Sequence, residues 1–210
     1  MTDIIDGMRH ARILIPDNSP LSLLAMVGED ALDWLFTPGG EVWVTDMVRD
    51  EALRDPDPGD DQREFHRRYI AAWFERNKQR IHIQTTDEGE EYRKAMEVWR
   101  RLPDSPSELK PSWKGRGERS IIRVLDGIEK LVADGEAVIT IVDDRKARAA
   151  ISVMTDLDID LMTTRSYIHW LAKRFHVEKA ETAWIAIKIA AAGKAPNAPD
   201  EDPVHICKSP

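Results

Sequence analysis

The sequence predicts an α/β protein, a three-layer αβα sandwich around a mostly parallel sheet of about five strands. Apolar runs such as Ile13-Leu14-Ile15 and Val138-Ile139-Thr140-Ile141-Val142 lack the polar alternation of a half-exposed strand, as expected for strands covered on both faces. Stretches of helical periodicity separate these runs, and alternating strands and helices imply parallel pairing with helices on both sides. With 210 residues, 42% of them hydrophobic, the chain can bury one core of ordinary to large size.

The elements follow in order. Residues 12–16 read as a short buried strand. Asn18-Ser19-Pro20 is a helix-start signal, a cap-type residue followed by proline, and Leu21, Leu23, Leu24 and Met26 make that helix largely apolar. Residues 30–36 read as a further helix, broken by Pro38-Gly39-Gly40. Residues 42–45 form the second strand and 46–54 a helix with Met47, Val48 and Leu53 on one side. Pro56, Pro58 and Gly59 stop any helix there. An amphipathic helix follows over 63–78, then a third strand over 81–85 and a helix over 88–102. The Pro-, Ser-, Lys- and Gly-rich residues 103–117 are expected to be a mobile loop. Ile121, Ile122, Leu125, Ile128 and Leu131 space out a helix over 118–133. Residues 137–142 and 159–162 are strands, and 144–154, 163–175 and 178–192 are helices. The proline-spotted residues 194–210 are expected to be a disordered tail, leaving one domain over 1–193.

Bulk properties narrow the function. Net charge is -8, which argues against a chain that coats nucleic acid by overall charge but leaves room for a locally basic groove. The single cysteine, Cys207, excludes an intrachain disulfide and a cysteine-based zinc site, and fits a cytoplasmic setting. The first twelve residues do not read as a signal peptide, and no apolar stretch reaches the roughly 20 residues of a membrane span. The six histidines are scattered without metal-ligand spacing.

The informative feature is a set of acidic residues where strands give way to the next element. Asp17 ends the run Ile13-Leu14-Ile15-Pro16, and Asp143, followed by Asp144, ends the run 137–142. Glu51 follows the second strand by about one and a half helical turns, and Glu118 opens a helix just after Gly115-Arg116-Gly117. In a parallel sheet the carboxyl ends of the strands share one edge, where ligands bind. Carboxylates gathered there repel one another and call for a hard divalent cation, Mg²⁺ or Mn²⁺. Asp17 and Asp143 also read as helix caps, and Glu118 as a residue favoured by a helix N-terminus.

Four segments resemble the motifs of PIN-domain ribonucleases, which include the toxins of VapC-type toxin–antitoxin pairs. They are Asp17-Asn18-Ser19-Pro20-Leu21, Val44-Thr45-Asp46-Met47-Val48-Arg49-Asp50-Glu51, Gly115-Arg116-Gly117-Glu118 and Ile141-Val142-Asp143-Asp144-Arg145-Lys146-Ala147-Arg148. The last is similar to the Asp-Asp-x-x-Ala-Arg segment of one subfamily. Residues over about 55–117 exceed what compact members need and read as a helical insertion, and Met162-Thr163-Thr164 stands where similar chains carry Gly-Thr.

The resemblance implies a PIN-like fold and a metal-dependent endoribonuclease with catalytic Asp17, Glu51, Glu118 and Asp143. Asp17, Glu118, Asp143 and Asp144 would ligate the metal, and Ser19 would orient Asp17 from behind. It also implies an antitoxin protein and a homodimer as partners. Lys114, Arg116, Arg119 and Arg145 would meet RNA phosphates, and Trp113 an unpaired base, although loop anchoring is the plainer role for Trp113. The competing reading is a non-catalytic PIN-like module that binds RNA or protein. A phosphoacceptor domain fits less well, because the paired aspartates come late and Lys173 is poorly placed.

Overall fold

Apolar strands without polar alternation require cover on both faces, and β1 (His10–Pro16) has it: Ile13, Leu14 and Ile15 are buried in succession. β2 (Glu41–Thr45), β3 (Ile81–Gln84), β4 (Glu136–Ile141) and β5 (Ile159–Met162) run parallel with it in one sheet. β6 (Val204–Ile206) adds antiparallel to β5, and the order is β3-β2-β1-β4-β5-β6. This computed structural model describes residues 10–55, 61–128, 131–133, 135–154, 159–190 and 204–206.

The helices are α1 (Asn18–Val27), α2 (Asp46–Ala52), α3 (Asp61–Arg76), α4 (Asp87–Arg100), α5 (Arg116–Ile128), α6 (Arg145–Met154), α7 (Thr164–Phe175) and α8 (Glu178–Ala190). Short 3₁₀ segments span Glu29–Phe36 and Ser107–Leu109. α1 packs on α3, α7 and α8, while α5 packs on α2, α4 and α6. The result is the three-layer αβα arrangement expected of such alternation. Leu21 and Leu24 of α1, Ile121 and Leu125 of α5, and Tyr167 and Leu171 of α7 join the strand side chains in one core.

Three expectations are corrected. The label of helical insertion for 55–117 gives way, because the third strand expected over 81–85 is there as β3, a full member of the sheet paired with β2 from Val42↔Ile81 to Thr45↔Gln84. The tail is not wholly disordered, because Val204–Ile206 pairs with β5; its other residues lie outside the described ones. The loop before α5 is anchored rather than loose. Trp99 Nε1 donates to the Pro106 carbonyl at 2.7 Å, Lys110 lies over the Trp99 ring, and Trp113 packs on Tyr92.

α4 is tied to α2 through a buried carboxylate. Asp46 Oδ1 accepts from the Met47 amide at 3.0 Å and the Thr86 hydroxyl at 2.8 Å. Its Oδ2 accepts from the Thr86 amide at 3.3 Å and Arg93 Nη2 at 2.9 Å. Thr86 in turn caps α4 by accepting from the Gly89 amide at 3.1 Å. Gly89 sits so close that an added Cβ would fall 2.1 Å from Asp46 Oδ2. In an exposed helix Gly→Ala gains roughly 1 kcal/mol. Here Gly89→Ala is expected to lose about 2 kcal/mol or more, because Asp46 must leave donors that remain buried. Urea denaturation checks this, and a stabilised variant would show that the carboxylate moves freely.

Candidate carboxylate site at the strand ends

β1 and β4 are neighbours, and the ladder between them continues past β1, with the Asp17 amide donating to the Ile141 carbonyl at 2.9 Å. Asp17 and Asp143 therefore leave adjacent strands at the same edge. That position is the topological switch point, with β2 on one side of β1 and β4 on the other.

Asp17 holds the N-cap position of α1, yet its side chain makes no capping hydrogen bond. It is 9% exposed, and burial pushes its carboxyl up to about 7. The Asn18 backbone amide acts against that shift, while Glu51, Glu118 and Asp143 add to it by repulsion. Three further carboxylates thus act on Asp17 from α2, α5 and the end of β4.

Asp143 is 6% exposed, and both its oxygens are held: Oδ1 accepts from the Thr164 amide at 2.9 Å and Oδ2 from the Thr164 hydroxyl at 2.6 Å. Burial raises its carboxyl, against the two Thr164 bonds and the Arg148 guanidinium. Glu118 is half-buried in the first turn of α5, raised by burial and then by Asp144, with Arg119 opposing and Glu51 adding a smaller push. Asp144 is exposed, and its Oδ1 caps α6 by accepting from the Ala147 amide at 2.8 Å.

A hydroxyl relay fixes α2 against α5. Ser120 Oγ donates to the Gly117 carbonyl at 2.6 Å, so the 2.6 Å contact between Thr45 and Ser120 has Thr45 as donor. Thr45 meanwhile accepts from the Val48 amide at 3.2 Å and caps α2, the helix that carries Glu51. Gly117 lies where side chains converge: a Cβ built there would stand 3.4 Å from both Asp17 Oδ1 and Glu51 Oε2. Asn18 Nδ2 donates to Glu51 Oε1 at 3.1 Å, and its own Oδ1 is buried without a partner.

Asp17, Glu51, Glu118 and Asp143 thus meet at one edge, with Asp144 beside Glu118. Among the described residues, however, no three acidic, histidine or cysteine side chains stand close enough to hold a metal ion as they lie. The donor chemistry suits a hard divalent cation. The buried Asn18 oxygen without a partner and the close approach of Gly117 to two carboxylates mark where the set converges.

The supporting residues differ from expectation. Among the described residues Ser19 makes no hydrogen bond to Asp17; Asn18 reaches the carboxylate set instead, through Glu51. Arg116 and Arg119 are engaged by Glu88, at 2.6 Å and 2.9 Å. Trp113 lies 4.4 Å from Tyr92, ring centre to ring centre, as a loop anchor does. Lys114 and Arg145 are exposed. Thr164 and Glu88, both central here, carry no sequence signal of their own.

No protein-family model matches the chain, and neither a curated protein nor a solved structure matches it.

The electrostatics has a pH consequence. A carboxyl at about 7 in the folded chain and 3.8 when free binds its proton more tightly when folded. Its ionisation therefore costs stability as pH rises from about 4, and the full cost is reached above about 7. In EDTA, Asp17→Asn is expected to be more stable than wild type at pH 8, by up to about 4 kcal/mol, and no more stable at pH 4. Thermal unfolding across that range checks it; parallel pH profiles for the two proteins would contradict it.

Proposed function

We propose that the chain is a metal-dependent nuclease that hydrolyses RNA phosphodiester bonds at the carboxyl edge of β1 and β4. The observation that carries this reading is the gathering of carboxylates at the strand ends: Asp17 is buried without a capping bond, Gly117 closes on both Asp17 and Glu51, and Glu118 and Asp143 act on Asp17 as well. Perturbed carboxylates gathered in one place are candidates for a functional site.

Asp17, Glu118, Asp143 and Asp144 are the residues that would hold the ion, with Glu51 supporting. A bound Mg²⁺ or Mn²⁺ supplies a water of lowered pKa and neutralises charge on the phosphate oxygens. The chain's own residues do the positioning. Thr164 fixes Asp143 through both oxygens, Asn18 steadies Glu51, and the Thr45–Ser120 pair sets α2 against α5. Lys114 and Arg145, exposed and without a carboxylate partner among the described residues, suit phosphates of an approaching strand. The resemblance to PIN-domain toxins makes an antitoxin and a second copy of the chain its expected protein partners. Among the described residues no helix is long and apolar enough to cross a membrane.

The second reading, a binding module that holds RNA or protein without cutting it, is favoured by one observation: the acidic side chains do not close on a common point as they lie.

Cleavage of labelled single-stranded and structured RNA in Mg²⁺, Mn²⁺ or EDTA tests the two readings. Asp17→Asn and Asp143→Asn are each expected to lose at least roughly 100-fold in activity, about 2.7 kcal/mol at the barrier. Gly117→Ala should fold, since its Cβ meets only van der Waals neighbours. It should lose activity by walling Asp17 from Glu51. A folded wild type that neither cuts RNA nor takes up Mn²⁺ in titration calorimetry would overturn the nuclease reading in favour of the binding module.

A further inference from the structure

A cleft of about 450 Å³ opens between the end of α2, α4 and the loop before α5, lined by Asp50, Leu53, Tyr92, Met96, Arg100 and Trp113 among others. It is built from the same elements as the carboxylate edge. Asp50 of α2 precedes Glu51, and Arg116, which lies over the Tyr92 ring at 5.0 Å, comes two residues before Glu118. The walls are apolar and aromatic: Leu53, Met96, and the rings of Tyr92 and Trp113 at 4.4 Å between centres. The charged lining is mixed: Arg93 and Arg100 stand with Asp50 and Glu97, and Arg93 is paired with Asp46 and Asp50. Arg54 lies over Trp113 at 5.7 Å, and neither Arg54 nor Arg100 has a carboxylate partner among the described residues.

One polar atom of the lining residues has no partner in the fold. Tyr92 is 3% exposed, and its hydroxyl is buried without a hydrogen-bond partner. Tyr92 is part of the cleft lining, and the guanidinium groups of Arg116, Arg54 and Arg100 lie near enough to act on its hydroxyl. A buried hydroxyl left unpaired costs stability, and a ligand edge would satisfy it.

Aromatic walls favour a planar π system, guanidinium groups favour an anion attached to it, and a lone hydroxyl favours a ligand with polar edge atoms. A nucleotide combines all three, and a volume of about 450 Å³ lies in the range of small-ligand sites. We propose that this cleft is a subsite for one nucleobase and its phosphate of a single-stranded RNA, which would seat the strand beside the carboxylates. The inference rests on the RNA reading above, but it concerns binding and needs no cleavage.

The test is titration calorimetry in EDTA with a 5′-nucleoside monophosphate and with a five-nucleotide single-stranded RNA. Wild type should bind both, the strand more tightly. Tyr92→Phe should weaken the strand by about fivefold while its thermal midpoint stays equal or rises, because it deletes an unpaired hydroxyl. A tyrosine with a purely structural role would move the midpoint and not the affinity. Arg100→Ala, at an exposed position, should weaken binding several-fold and flatten its salt dependence. Binding of the RNA that is unchanged in both variants would overturn the subsite. So would a mononucleotide that binds at least as tightly as the strand, or a folded wild type that binds neither. Strand binding lost in these variants, by a protein that cuts no RNA, would keep the subsite and reject hydrolysis. Cleavage with unchanged KM in Tyr92→Phe would do the reverse.

Discussion

The reversal of strand order at β1 is the constraint on which the carboxylate edge depends. β1 comes first in the chain yet lies inside the sheet, flanked by β2 and β4. The chain winds outward to β3 and must return past β1 to lay down β4. Right-handed crossovers running in opposite directions send the helices after β1 and β4 to opposite faces. Asp17 and Asp143 stand at the strand ends between them, both buried. Had the chain continued outward in one direction, the two aspartates would end on strands that do not touch.

Two buried aspartates show what the edge lacks. Asp46 is 2% exposed and accepts from the Met47 amide, both donors of Thr86, and Arg93. It is a structural carboxylate, fully paired, and it joins α2 to the start of α4. Asp17 is 9% exposed and makes no capping bond, and the groups that dominate its surroundings after burial are an adjacent amide and three carboxylates. The fold that satisfies one aspartate with four donors leaves the other short. That contrast, rather than acidity as such, separates the strand-end set from ordinary helix caps. Asp144 illustrates the ordinary case, since it caps α6 with the Ala147 amide.

The sheet was legible because local signals set it. A buried strand written as an apolar, largely β-branched run, as β4 is, needs no tertiary information to recognise, and β5, Ile159-Asp160-Leu161-Met162, falls on the expected residues. The acidic set was legible because topology carries strand ends to one edge whatever the side chains do. What failed depends on contacts between distant segments. Glu88 takes up Arg116 and Arg119 from 28 and 31 residues away, and no local pattern announces that. Thr164 reaches Asp143 across 21 residues, from the Met162-Thr163-Thr164 stretch that departs from the family-like pattern. Ser19 looked like the partner of Asp17 from its place in the motif, but the polar neighbour that meets the carboxylate set is Asn18. The pairing of β6 could not be read either, because a three-residue strand in a proline-spotted segment has no periodicity to detect.

The ion pairs of Glu88 change how a polyanion would approach. With net charge -8, the protein has no general attraction for phosphate, so the placement of its unpaired cations decides the path. Arg116 and Arg119 are held by Glu88, which itself is pulled below the usual carboxylate range, first by its bond to Arg119. Among the described residues, Lys114 and Arg145 remain without a carboxylate partner near the acidic edge, and Arg54 and Arg100 remain so around the cleft. A strand that followed these four would run from the aromatic cleft across the start of α5 to the carboxylates. Gly117, at that start, is the residue whose missing side chain leaves Asp17 and Glu51 facing the path. The acidic edge alone would repel such a strand. Flanking cations and an aromatic cleft would give such a strand a reason to stay.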